Sequence, residues 1–563
     1  MITKDAVGII LSGATTREAT CQLLKEAEKG KIREGMLLIV NSGERKILCR
    51  VSQILPHNAF YTEGDPWSEA RREGRPIPEA VARQYEICKL ELLIEVSKER
   101  NKEIEYPPRP GDIVVKVDPE VYENYEEDLF SVPKDKRISD GVYRGIIKFG
   151  SLGGYGSLPI PLDVEKIPMH LAVFGVTGSG KSFNTGYLIE KLVNIPKSDS
   201  EYAAYPMIII DAHGDYLDYV NYVEENGLEN LDWIKSGWIR RYVFPNAYIN
   251  KSEFRKSNFT EPISINLDLL SSTELAEIIV TYFKGTTEGA EQQISALTDL
   301  FEDMRARGYS SLHDLICDSI EDLKNHAERL TKSPYGYHDA TVKAIKRQLN
   351  EFYKIEDKYK LLSTESKMKK EEFVDDITSN RGIAIIDFSA EGAPGVDLKT
   401  KQLVMTYLAT ILFNKFTEYK LNGIQKYLLF IIEEAQNFCP DKSYPIASSL
   451  AHSKLSAIAT QGRKFGLSLC LISQRPSFVD RIVLSMCNTF LIHRVSPEDV
   501  SFVKSVTGGL PQSLAARLTT LDTGEVIISG QMITVPFPLV VRVPKEDRKV
   551  KPTIGETNVV NNL

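Results

Sequence analysis

The sequence predicts an α/β chain in which a mostly parallel sheet is preceded by a small β-barrel and interrupted by a helical insertion. Three observations lead there. Residues 1–120 read as short strands separated by polar turns, the spacing of a small barrel. From residue 142 the pattern changes to apolar runs rich in β-branched residues, each followed by a glycine-containing turn and a helical stretch, as buried parallel strands with crossover helices require. Residues 265–380 form a long polar segment with 3.6-residue periodicity in stretches such as STELAEIIVTYF and LTDLFEDMRARG, the mark of helices with one apolar face.

Each element follows in order. The barrel strands are VGIILSG, GMLLIVNS, KILCRVSQIL, EICKLELLIEV and GDIVVKV. A polar insert at 56–83 reads as a surface excursion or short helix, and PPRPG at 107–111 as a rigid turn. A charged connector at 121–141 marks a domain boundary. The first part of the core, 142–264, holds the strands HLAVFGV (170–176) and PMIIIDA (206–212). After the insertion, the second part, 381–544, holds GIAIIDFS (382–389), YLLFIIEEA (427–435), LSLCLISQ (467–474) and NTFLIHRV (488–495). It closes on TGEVIISGQMITVPFPLVVRV, which alternates as a β-hairpin does. The tail, 545–563, is polar and expected to fray.

Composition excludes several classes. At ~150 residues per domain, 563 residues make roughly three to four domains. With 69 Lys plus Arg against 77 Asp plus Glu the net charge is −8, and 42% of residues are apolar, so the chain is globular and not disordered. A mildly acidic whole repels phosphate at long range, so any nucleic-acid contact must come from local basic surface. The seven cysteines are scattered with no CxxC pair, which excludes a disulfide scaffold or structural zinc site and fits a reducing compartment. No window reaches the ~18 apolar residues of a bilayer span, and the amino terminus lacks a basic signal region, so a soluble, cytoplasmic protein without membrane contact is expected.

The strongest chemical signal is Gly175-Val176-Thr177-Gly178-Ser179-Gly180-Lys181-Ser182, placed between an apolar strand and a helical stretch. Glycines let such a loop wrap phosphates with its N–H groups and the helix amino terminus. Gly175, Thr177, Gly178, Ser179, Gly180 and the following Phe183 are thus expected around a nucleotide, with Lys181 reaching the β- and γ-phosphates and Ser182 on Mg2+. A partner carboxylate pair must end a neighbouring buried strand. Glu433 and Glu434 do so after LLFII: Glu433 on the metal side, Glu434 polarising the attacking water. Asp211 ends a third such strand, where it either fixes metal-bound water and Lys181 or caps the next element. His213 reads as structural. Arg463, in QGRKFG, and Gln474, at a strand tip, fit an arginine offered to a neighbouring subunit's γ-phosphate and a phosphate sensor.

Taken together, GVTGSGKS, IIIDAHGDY, IIEEAQNF, GRKFGLSLCLISQRP and LDTGEVIISG resemble the HerA family of the HerA/FtsK group. The resemblance covers nearly the whole chain. It implies a RecA-like P-loop NTPase core and a homohexameric ring that hydrolyses ATP with Mg2+ while moving along double-stranded DNA as a helicase or translocase. It also implies a partner docked on the barrel: a NurA-like nuclease in break repair, or a defence effector. The alternative it leaves open is an ATPase scaffold that activates such an effector, with DNA motion secondary. By the same resemblance Lys181 and Ser182 match the P-loop, Glu433 and Glu434 the paired carboxylates, Arg463 the trans-acting finger, Gln474 the sensor and Asp211 the strand-end acid. Two positions depart from the family pattern: Met169, where an arginine often precedes the histidine, and Thr460-Gln461, which replaces Arg-Glu ahead of the finger. Lys343, Lys346 and Arg347, with Lys367, Lys369 and Lys370, are the basic runs available for DNA.

Overall fold

The computed structural model describes residues 6–27, 32–58, 61, 68–75, 84–97, 101–117, 125–153, 158–284, 289–444 and 450–552. Its first strands close into a six-stranded antiparallel barrel, ordered Ala6–Ile10, Glu18–Leu23, Tyr85–Val96, Arg45–His57, Leu37–Ser42 and Ile113–Lys116. The last strand pairs with both the first and Leu37–Ser42, which removes the open edge. Glu18–Leu23 is the one barrel strand the sequence does not announce. Its inward residues are Ala19, Cys21 and Leu23, too small and too few to read as a β-branched run. In the polar insert the described part holds a short helix, Ser68–Arg72, and residues 59–60, 62–67 and 76–83 lie outside the described residues.

The core is one twelve-stranded sheet. Eight neighbouring strands run parallel, in the order Thr489–Ile492, Leu171–Phe174, Leu467–Ser473, Leu428–Ile432, Met207–Asp211, Ile383–Asp387, Ile239–Val243 and Thr260–Pro262. The first six are the six expected runs. The other two lack a continuous apolar pattern: Ile239–Val243 carries Arg240 and Arg241 mid-strand, and Thr260–Pro262 is three residues ending in proline. Arg241 tolerates burial because Asp387 takes its guanidinium at 2.6 and 3.0 Å.

Four antiparallel strands extend the sheet beyond Thr489–Ile492: the expected hairpin Glu525–Gly530 and Leu539–Arg542, then Ile146–Leu152 and Pro159–Asp163. Ile146–Leu152 is one sheet strand that the sequence reading does not name. Helices Ser272–Lys284, Glu291–Ala306, Leu312–Asp318, Ile320–Ala327 and Asp339–Tyr359 occupy the insertion, and their apolar faces, with Leu275, Leu300 and Ile345, join the same buried cluster as Phe174, Ile208 and Ile210 of the sheet. The expectation of a fraying tail fails over 545–552: Arg548 and Val550 are buried, and the Lys549 and Val550 N–H groups donate to Glu190 at 2.8 and 2.9 Å. Residues 553–563 lie outside the described residues. Among the described residues no helix is long and apolar enough to cross a membrane.

Candidate active site

Parallel strands bring all their carboxyl ends to one edge of a sheet, and ligands of such sheets bind there. At that edge Leu171–Phe174 runs into the loop Gly175–Gly180 and then into the helix Lys181–Leu192. Gly180 has φ +93, and a Cβ there would lie 2.8 Å from the backbone nitrogen of Gly524, so only glycine allows the close approach. The loop is pinned from both sides. Val176 N donates to Arg494 O at 2.9 Å, Gly524 N to Ser179 O at 3.1 Å, and Thr523 Oγ1 to Gly178 O at 3.2 Å. Among the described residues the N–H groups of Thr177, Gly178 and Gly180 have no acceptor. Lys181 is buried as a residue, at 9% exposure, and its ammonium has no hydrogen bond or ion pair among them. A phosphate supplies what both lack.

The paired glutamates end Leu428–Ile432, two strands away. Glu433 is buried, and its Oε2 accepts from Ala212 N at 3.1 Å. Burial, then Asp211 and Asp215, push its carboxyl well above the usual range, while Lys181 pulls the other way. Glu434 sits at φ +48, in the left-handed region, although it is not glycine. Its Oε1 accepts from Gln474 Nε2 at 2.7 Å and from His213 Nε2 at 3.2 Å, and its Oε2 accepts from the Gln436 amide. Burial raises the Glu434 carboxyl, but the hydrogen bonds from His213 and Gln436 outweigh it and hold the group below the usual range. Gln474 in turn accepts from Thr177 Oγ1 at 2.7 Å. A continuous chain thus links the P-loop to the glutamate: Thr177, Gln474, Glu434, His213.

Of the two readings of Asp211, the structure shows the contacts of the capping one. The carboxylate is fully buried. Oδ1 accepts from the N–H groups of His213, Gly214 and Asp215 at 3.3, 2.6 and 3.0 Å, and Oδ2 from Tyr216 at 3.0 Å. Burial and the neighbouring Asp387 push its pKa up to about 6. Phe183 packs under the guanidinium of Arg548, 5.1 Å from its ring centre. His213, read as structural, is on the glutamate instead. Sequence offers no signal for that contact, because 221 residues separate the partners.

Two buried histidines also brace the P-loop strand. His493 donates from Nδ1 to Phe174 O at 3.0 Å and accepts at Nε2 from Asn184 Nδ2 at 2.9 Å. His170 accepts at Nδ1 from Leu469 N and donates from Nε2 to Ala459 O, both at 3.0 Å. Burial pushes their pKa values down to about 3 and about 4.

Arg463 lies elsewhere. Its turn, Gly462–Lys464, precedes Leu467–Ser473, so it occupies the amino end of the sheet. A seven-residue strand spans about 23 Å, which separates Arg463 from the P-loop of its own chain. The side chain is exposed and has no hydrogen bond or ion pair among the described residues. Most of the basic runs are already engaged: Lys346 pairs with Glu328, Lys367 with Glu261 and Lys369 with Glu365, and Arg347 lies over the Phe283 ring.

Comparison with known proteins bears on the same architecture. The family model described as helicase HerA, central domain, matches residues 147–412. The DNA double-strand break repair helicase HerA of Sulfurisphaera tokodaii is 23% identical over 97% of this chain and 94% of its own length. The protein of the same name from Sulfolobus acidocaldarius is 25% identical over 97% and 94%. The solved structure of VirB4 of Thermoanaerobacter pseudethanolicus aligns over 72% of this chain and 98% of its own at 13% identity, with a TM-score of 0.46. The chain is thus similar to the HerA central domain over residues 147–412 and to the two HerA helicases over nearly its whole length.

Proposed function

We propose that this protein is an ATP-driven translocase or helicase on double-stranded DNA that works as a homohexameric ring and delivers DNA to a nuclease or defence effector seated on its barrel. One observation carries the ATPase part: Lys181, whose ammonium has no protein partner, follows a loop of unpaired N–H groups and lies close enough to Glu433 and the fixed Glu434 to act on both carboxyls. Lys181 and the loop amides bind the β- and γ-phosphates. Ser182 and Glu433 would hold Mg2+, which when bound neutralises phosphate charge and keeps much of its own water. Glu434, ionised and aimed by its three donors, orients the attacking water and accepts its proton. Thr177 and Gln474 bring further side-chain donors to the same end of the sheet.

The ring follows from Arg463. It is too far from its own P-loop to act there, so a phosphate it stabilises belongs to another copy. At the same amino end, in the segment leading into Leu428–Ile432, Leu421, Ile424 and Tyr427 are 81%, 47% and 41% exposed, apolar side chains suited to contact between copies. Duplex DNA as the track is supported by the relatives, which are named as DNA repair helicases.

The test is direct. Lys181→Ala and Glu434→Gln should each abolish ATP turnover while light scattering shows the assembly intact, and turnover retained by either variant removes the site assignment. Duplex DNA should stimulate the wild-type rate. Stimulation by the effector alone would replace the motor with an effector-activating scaffold.

A further inference from the structure

His213 has features that a structural histidine does not need. Its ring is 53% exposed, yet its position is fixed from below, because the buried Asp211 carboxylate ties the N–H groups of His213 and the next three residues. The ring reaches Glu434 Oε1, the same oxygen that Gln474 holds. These two donors differ in what lies behind them. Gln474 is tied through its carbonyl oxygen to Thr177 on the P-loop, so a γ-phosphate bound there competes for its amide. His213 stands on a separate strand end, backed by Asp211, and is not part of the phosphate cradle.

We propose that His213 is a positioning residue for Glu434, the donor that keeps the carboxylate aimed at water while Gln474 turns its amide toward the γ-phosphate. The inference rests on the reading of Glu434 as the water-orienting group. Acting on an oriented base and not on bound nucleotide, His213 governs the chemical step and leaves ATP affinity alone. With Gln474 turned to the phosphate, His213 is the donor left on Oε1 and Gln436 the donor left on Oε2, so loss of His213 leaves the carboxylate held at one oxygen and its aim less fixed.

Steady-state ATP hydrolysis by the assembled full chain tests this with His213→Ala, His213→Gln and Glu434→Gln, alone and as the His213→Ala/Glu434→Gln double variant. His213→Ala should lower kcat about tenfold or more with KM for ATP within about twofold of wild type. His213→Gln, which keeps a neutral donor, should recover at least about a third of the wild-type rate. Because Glu434→Gln has no turnover to lose, the double variant is read by ATP binding, which adding His213→Ala should leave within about twofold, and a larger loss overturns the proposal. An unchanged kcat in a folded His213→Ala, a raised KM at constant kcat, or a His213→Gln as slow as His213→Ala overturns the proposal. Full activity in Glu434→Gln would instead overturn the reading of Glu434 itself. Thermal unfolding of each variant separates loss of positioning from loss of fold.

Discussion

At the carboxyl end of the parallel strands nearly every functional side chain has a partner inside the chain: Glu434 has three donors, Gln474 bridges to Thr177, and Asp211 holds four backbone N–H groups. At the amino end of the same strands Arg463 is exposed and unpaired, and three apolar residues are exposed at that end too. The first end is preorganised, its geometry complete except for phosphate. The second is unfinished in one chain. On the proposed function, the first end holds the groups that act within one chain, and the second offers the group that acts on another copy.

The largest expected effect comes from breaking the unfinished end. Arg463→Ala should lower ATP turnover by about a thousandfold, as loss of a trans-acting arginine does, with the amount of nucleotide bound unchanged. Mixing Arg463→Ala with Lys181→Ala chains should restore measurable turnover, since one supplies the P-loop and the other the finger. If the mixture stays dead while both chains co-assemble, Arg463 does not act between copies.

Smaller, and aimed at assembly alone, is Leu421→Glu. At 81% exposure the residue contributes little to the isolated fold, so the melting temperature at concentrations below assembly should stay put. Placed between copies, the buried charge costs a few kcal/mol, and light scattering should show the assembly forming only at protein concentrations at least tenfold higher. An unchanged assembly curve would put that patch outside the contact.

The smallest effect sharpens the preorganised end. His170 and His493 are held neutral, with pKa values near 4 and 3 against an unfolded value of 6.5. Their folded values are depressed, so the stability they carry is fully present above pH 6.5 and declines as pH falls toward those values. Each contributes a slope of up to about 1.4 kcal/mol per pH unit. Denaturant titrations between pH 7 and 4.5 should show this loss, and His170→Gln should flatten it. A slope unchanged in that variant would mean His170 does not carry the linkage.

Much of the site is legible along the chain because its key groups are local. The P-loop places Gly175 to Ser182 in one turn, and paired glutamates after an apolar run must stand at a strand end. Six parallel strands are legible for the same reason: burial on both faces writes a continuous apolar run. Where burial is solved by pairing, that signal vanishes. Ile239–Val243 hides behind Arg241, whose partner Asp387 is 146 residues away. The tail escapes similarly, since it is polar by composition yet docked on Glu190. Asp211 is ambiguous in sequence, as a strand-end acid serves a metal or a turn equally well, and four backbone donors decide it.

What the sequence by itself determined was the chemistry on offer: a phosphate loop, two carboxylates and a cation, each set by residue type and spacing over a few positions. What only the tertiary structure decided was which groups meet. The Thr177, Gln474, Glu434 and His213 chain joins partners 297, 40 and 221 residues apart, and Arg463 lies on the far edge of the sheet that its own P-loop crowns. Hydrogen bonds act over about 3 Å, so contacts of that kind depend on strand order and register, which no local pattern encodes.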